Sequence, residues 1–109
     1  MSHPTYAWWL LGLSIVAEVA GTLALRHAHG FTRVWPSLIV AACYGGAIWL
    51  MARAVRHLEV GLAYAVWAGA GTALTAMLGM LLFGESAGAL RLAGLGCIVV
   101  GVVLLNLSA

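Results

Sequence analysis

Glu18 is the residue of this sequence best placed to do chemistry. It is the one charged side chain inside an apolar stretch that runs from about Tyr6 to Leu25. A charge at the centre of a bilayer costs about 2.5 to 3.5 kcal/mol on insertion scales. Such residues normally face a bundle interior and mark an ion or substrate path. No Lys or Arg lies within the first three apolar stretches to neutralise it, and Arg91 stands near the start of the fourth. Two inexpensive states remain: Glu18 carries a proton, or a cation sits against it. The two occupants compete for one group, and that competition is the chemical basis of proton-for-cation exchange. The plainer alternative is a permanently protonated carboxyl that hydrogen-bonds a neighbouring helix.

The residues at helical spacing from Glu18 point to a cavity. Leu11, Ser14, Ile15, Gly21, Thr22 and Leu25 share its side of a helix. Gly21 leaves space beside the carboxylate, and Ser14 and Thr22 can hydrogen-bond it or a backbone carbonyl. Close helix packing by small residues is the competing explanation for Ser14, Gly21 and Thr22, and both can hold together. Aromatic residues away from the span ends form a second signal: Tyr44, Tyr64 and Trp67. Buried Tyr and Trp usually seek a polar partner, and a carboxylate is one. Their faces can also hold an organic cation, worth about 2 kcal/mol or more when desolvated. Ordinary aromatic packing is the alternative.

The elements that must position these residues follow from composition. About 64% of the 109 residues are apolar and only 7% are charged, far below the roughly 25% charged residues of a soluble domain. A soluble chain this small could not hide so much apolar surface. The charged residues divide the chain into four spans of about 6–25, 34–52, 60–83 and 87–107, each near the roughly 20 residues a crossing needs. Arg26, Arg33, Arg53, Arg56, Glu59, Glu85 and Arg91 fall at or near the boundaries. The sequence predicts an all-α membrane protein, a single four-helix transmembrane domain over 1–109. The first stretch is expected to be retained rather than cleaved, since no Lys or Arg precedes it and Glu18 interrupts it. Tyr6, Trp8, Trp9 and Trp35 sit where amphipathic rings favour the headgroup level. Gly30 is expected to supply the first turn, and Pro36 opens the second helix.

Cys43 and Cys97 lie inside spans and read as small apolar residues, without a disulfide framework. His27 and His29 could touch a metal but lack a third ligand, so no metal or cofactor is expected. Gly69 and Gly71 permit a bend in the third span. Gly94 and Gly101 are seven apart on one face of the fourth, which suits helix–helix association. Arg26, Arg33 and Arg91 stand on one side, against Arg53, Arg56, the amino terminus and His3 on the other. Basic residues near span ends set orientation, and three Arg against two gives almost no bias. The expectation is insertion in both orientations, with oppositely inserted copies pairing.

Over nearly its whole length the chain resembles the small multidrug resistance family of bacterial transporters. The resemblance is carried by Ala17–Thr22, by Gly30–Ser37, by Gly61–Gly71, and by Gly94–Val102 with the closing Leu104–Leu107. It implies an antiparallel, dual-topology homodimer in the bacterial cytoplasmic membrane. It implies that Glu18 of both subunits forms a shared site for protons and substrate. Tyr44, Tyr64 and Trp67 match the family's site aromatics, and Leu11, Ser14 and Thr22 match positions lining that site. Gly69 and Gly71 match its flexible point, and Gly94 and Gly101 match its dimer seam. Gly21 followed by Thr22 looks like the branch exporting quaternary ammonium and other lipophilic cations; the guanidinium-exporting branch tends to have Trp in place of Gly21. Ala68, Trp8 and Ser14 depart from the common pattern, which bears on substrate range.

The expected function is therefore proton-coupled export of organic cations. A guanidinium or polyamine exporter of the same fold is the near alternative. A non-transporting membrane assembly subunit is the distant one, and it leaves a deep unpaired carboxylate beside aromatics unexplained. An enzyme is not expected, because no second acid, nucleophile–base pair or metal cluster stands at membrane depth.

Overall fold

The computed structural model describes residues 5–109, so His3 lies outside the described residues. They form four helices: α1 (Thr5–Ala28), α2 (Val34–Ala54), α3 (Val60–Leu82) and α4 (Ala89–Ser108). All four are long and apolar enough to cross a membrane. In hydrocarbon every backbone N–H and C=O must find its partner within the protein, and a helix achieves this within one segment. α1 continues through Arg26 and His27 to Ala28, past the expected span end at Leu25. Basic side chains in a last turn complement the partial negative charge of a helix C-terminus. Pro36 is the third residue of α2, where its missing N–H would have had no helical partner.

The turns explain why three connections suffice. Gly30 adopts a left-handed φ of 68°, but His29 (48°) and Phe31 (66°) do so as well. An L-residue there costs about 1–2 kcal/mol. Local bonds offset that cost: the Thr32 and Arg33 amides both donate to the Ala28 carbonyl, and Thr32 Oγ1 donates to the His29 carbonyl at 2.7 Å. Gly84 (φ 65°) makes the corresponding turn after α3. At the other end, Tyr6 on α1 hydrogen-bonds His57 in the α2–α3 connection.

Packing is uneven along the helices. α1 lies mainly on α2 and also on α3, while α4 packs on α3. The core joins Ala7 and Leu11 of α1, Ala54 of α2, Leu58, and Leu62, Ala63 and Val66 of α3. It sits at the α2–α3 end of the molecule. α4 buries none of its residues. The helices make a slab of 46 × 35 × 17 Å, about as thin as two helices side by side.

Candidate functional site

Away from that core, α1 and α3 leave a cavity of about 560 Å³ between them. Glu18, Thr22 and Arg26 line it from α1, and Trp67, Gly71, Thr72 and Thr75 from α3. Phe83 and Glu85, from the end of α3 and the turn after it, line it as well. A second hollow of about 300 Å³ is lined by Glu18 and Trp67 together with Tyr44, Ala47 and Ile48 of α2. Glu18 and Trp67 thus stand in both. Glu18 is half-buried on α1, and its Oε2 would lie 3.2 Å from a Cβ placed on Gly71. Glycine at 71 is what lets the carboxylate rest against α3.

A chain of hydroxyls leads to Glu18. Thr22 Oγ1 lies 2.9 Å from the Glu18 carbonyl oxygen and 3.4 Å from its Oε1. The same oxygen is 2.7 Å from the Tyr44 hydroxyl. A threonine has one proton to donate. Directed at the Glu18 carbonyl, as helical threonines commonly direct it, it leaves Tyr44 as the donor to Thr22. Tyr44 O–H, Thr22 and Glu18 then form one connected set across α1 and α2. No Arg or His side chain pairs with the Glu18 carboxylate among the described residues.

Gly21 serves the same set from behind. A Cβ at 21 would come within 2.8 Å of two Tyr44 ring carbons and 3.0 Å of Cys43 Cβ. The space that Gly21 was expected to leave beside the carboxylate is taken by the Tyr44 ring. Trp67 lies 5.7 Å from Tyr64, ring centre to ring centre. Its indole N–H is buried and finds no acceptor among the described residues.

Not every expected residue converges here. Leu11 is 1% exposed and belongs to the core at the opposite end. Ser14, fully buried, donates to the Ala47 carbonyl of α2 at 2.7 Å; it joins α1 to α2 and leaves Glu18 untouched. Tyr64 is 58% exposed and lines neither cavity. Gly69, expected as part of a bend, faces α4: a Cβ there would fall 2.6 Å from a Val102 methyl. α3 runs unbroken through Gly69 and Gly71. A Cβ on Gly94 or Gly101 would meet nothing within 4 Å.

Thr72, Thr75, Phe83, Arg26 and Glu85 line the cavity without having been singled out as site residues in the sequence. A signal for them existed. Trp67, Gly71, Thr75 and Gly79 follow one another at four-residue steps, so one helix face holds them all. Arg26 reads as a boundary charge because the first span is expected to end at Leu25, whereas α1 runs on to Ala28; Glu85 reads as one because sequence alone cannot tell a loop that folds back over a cavity from one that turns outward.

Comparison with known proteins places this geometry in context. The sequence model described as Small Multidrug Resistance protein matches residues 6–98. A quaternary ammonium compound-resistance protein, QacF, of Klebsiella aerogenes is 44% identical over 92% of this chain and 91% of its own length. A protein named guanidinium exporter from Yersinia pseudotuberculosis is 40% identical, over 94% of this chain and 99% of its own. An uncharacterised membrane protein, YvaE, of Bacillus subtilis is 39% identical over 92% and 84%.

Proposed function

The chain belongs to the small multidrug resistance family and is a multi-pass transporter of the bacterial inner membrane, and we propose that it exports lipophilic organic cations in exchange for protons at Glu18. The observation that carries this reading is the position of one unpaired carboxylate in the wall of both cavities. A proton or a cation neutralises it, and each occupant displaces the other. The membrane potential contributes about 2.3 kcal/mol per charge per 100 mV, so exchanging more than one proton for one cation would drive export.

Relatives with either substrate name match at similar identity, so the choice of substrate rests on the cavity. Its volume of about 560 Å³ falls in the range of sites for drug-sized ligands, roughly 300–1,000 Å³. Trp67, Ala68, Leu23, Ala76 and Phe83 give it apolar walls. A quaternary or aromatic cation satisfies those walls and the carboxylate together. Gly21 under the Tyr44 ring agrees, because an indole at 21 would displace that ring. One observation favours guanidinium as a second reading: Thr22, Thr72 and Thr75 are among the residues lining the cavity, and a threonine hydroxyl can accept from N–H donors. Comparing liposome uptake of tetraphenylphosphonium and guanidinium separates the two.

Pairing with a second, oppositely inserted copy completes this reading. The slab shape, the unburied α4, the exposed Tyr64 and the Trp67 N–H without an acceptor all support a partner surface. In that arrangement both Glu18 carboxylates share one site, Gly94 and Gly101 lie at the seam, and Gly69 and Gly71 give α3 its freedom to bend.

Glu18→Gln tests the central claim. The variant is expected to insert normally and to lose proton-driven uptake of tetraphenylphosphonium into inverted liposomes. Proton-driven transport by the variant at the wild-type rate would end this account.

A further inference from the structure

A second acid stands at the far end of the Glu18 cavity. Both carboxylates rest on glycines of α3: Glu18 Oε2 would lie 3.2 Å from a Cβ on Gly71, and Glu85 Oε1 2.5 Å from one on Gly79. Those glycines are eight residues apart, about 12 Å along a helix axis at its usual rise. Glu85 is held there by backbone geometry. Phe83 and Glu85 both donate their amides to the Gly79 carbonyl, at 3.0 and 3.3 Å, and the left-handed Gly84 between them folds the chain back over α3.

The Glu85 carboxylate is also available. It makes no hydrogen bond or ion pair with any described residue. Arg26, the basic residue lining the same cavity, stacks its guanidinium on Phe83 at 4.7 Å from the ring centre. Between the two acids the wall is Ala68, Thr72, Thr75 and Ala76, which accepts an alkyl chain more readily than a charge.

From this juxtaposition we infer that Glu85 is a second cation-binding group, which holds the outer charge of an elongated dication whose inner charge rests on Glu18. The inference rests on the proposed role of Glu18. A monocation fills the inner position only and leaves Glu85 to water. A dication with its charges separated by a long methylene chain occupies both ends and covers the wall between them.

Binding titrations in lipid nanodiscs test this with two probes of matched chain, decamethonium and the monocation decyltrimethylammonium. The readout is the ratio of their affinities. Wild type is expected to favour decamethonium about fivefold, the scale of one part-exposed ion pair, and less at high salt. Glu85→Gln is expected to bring the ratio down by that factor. Gly79→Ala should lower it too, because its Cβ displaces the carboxylate while keeping its charge. A wild-type ratio that persists in Glu85→Gln overturns the inference, as does loss of both probes in Glu85→Gln with the ratio intact in Gly79→Ala. Glu18→Gln distinguishes the two levels. If it binds the monocation as well as wild type, the role of Glu18 fails; if Glu18-dependent binding holds while the ratio ignores Glu85, only the outer site fails.

Discussion

Two hydroxyl-bearing residues of α1, both expected at the site, part company in the structure. Thr22 sits between Tyr44 and Glu18, 2.7 Å from one and 2.9 Å from the carbonyl of the other. Ser14 gives its hydrogen bond to Ala47 in a sealed contact between α1 and α2. Their substitutions should therefore read differently. Thr22→Ala removes the link and leaves the Tyr44 hydroxyl without an acceptor in the set, so substrate affinity should fall about fivefold, the worth of roughly one hydrogen bond. Ser14→Ala should lower thermal stability in detergent by about 0.6 kcal/mol, the average for an interhelical bond in a membrane protein, and leave affinity in place. Titration and melting of both variants check this; the opposite pattern would move Ser14 into the site. Acidification belongs to the same scale. Protons and substrate contend for one carboxylate, so apparent affinity should drop as pH falls, and Glu18→Asp should keep transport with a shifted pH profile.

At the scale of elements, glycine positions decide how closely helices approach. Gly21 admits the Tyr44 ring, Gly69 admits Val102, and Gly71 admits the Glu18 carboxylate. Each has a different neighbour, so an added side chain has a different cost. Glu18 ends a flexible side chain and can give way. Tyr44 and Cys43 belong to the facing helix and cannot do so without moving α2. Gly21→Trp is expected to spread α1 from α2 at an overpacking cost of about 1–3 kcal/mol, seen as a lower melting temperature, and to weaken tetraphenylphosphonium binding by displacing Tyr44. Unchanged melting and binding would mean that the α1–α2 contact is softer than the packing indicates. The same uneven packing sets the cavity's position. Core residues tie α1 to α3 near Leu11, Leu62 and Val66, and toward Arg26 and Phe83 the two helices leave space.

For the whole molecule, the thin slab and the outward glycines of α4 bear on assembly. Within the protomer nothing lies within 4 Å of a Cβ at Gly94 or Gly101. Gly101→Leu should therefore preserve the fold of one chain and disrupt only what packs against α4. Cross-linking in membranes is expected to show loss of dimer for that variant with insertion retained; a full yield of dimer would move the seam elsewhere. Reporters on the C-terminus should give signal from both sides of the membrane, because three Arg oppose two across it. A one-sided signal would leave a parallel or single-orientation assembly.

By itself the sequence determined the solvent, the number of helices and the residue that matters most. Four apolar stretches bounded by charges can satisfy their backbone in lipid only as helices, and one acid among them has no partner within its span. Tertiary structure decided which neighbours that acid acquires. Helical spacing places Leu11, Ser14 and Thr22 on one face, yet Leu11 meets the core, Ser14 meets Ala47, and only Thr22 reaches the carboxylate. Spacing along a helix sets the direction of a side chain; what stands opposite depends on how the helices tilt apart along their length. The turn at Gly84 that returns Glu85 to Gly79 is equally a matter of three dimensions, because a charge at a span boundary has no address until its loop is folded.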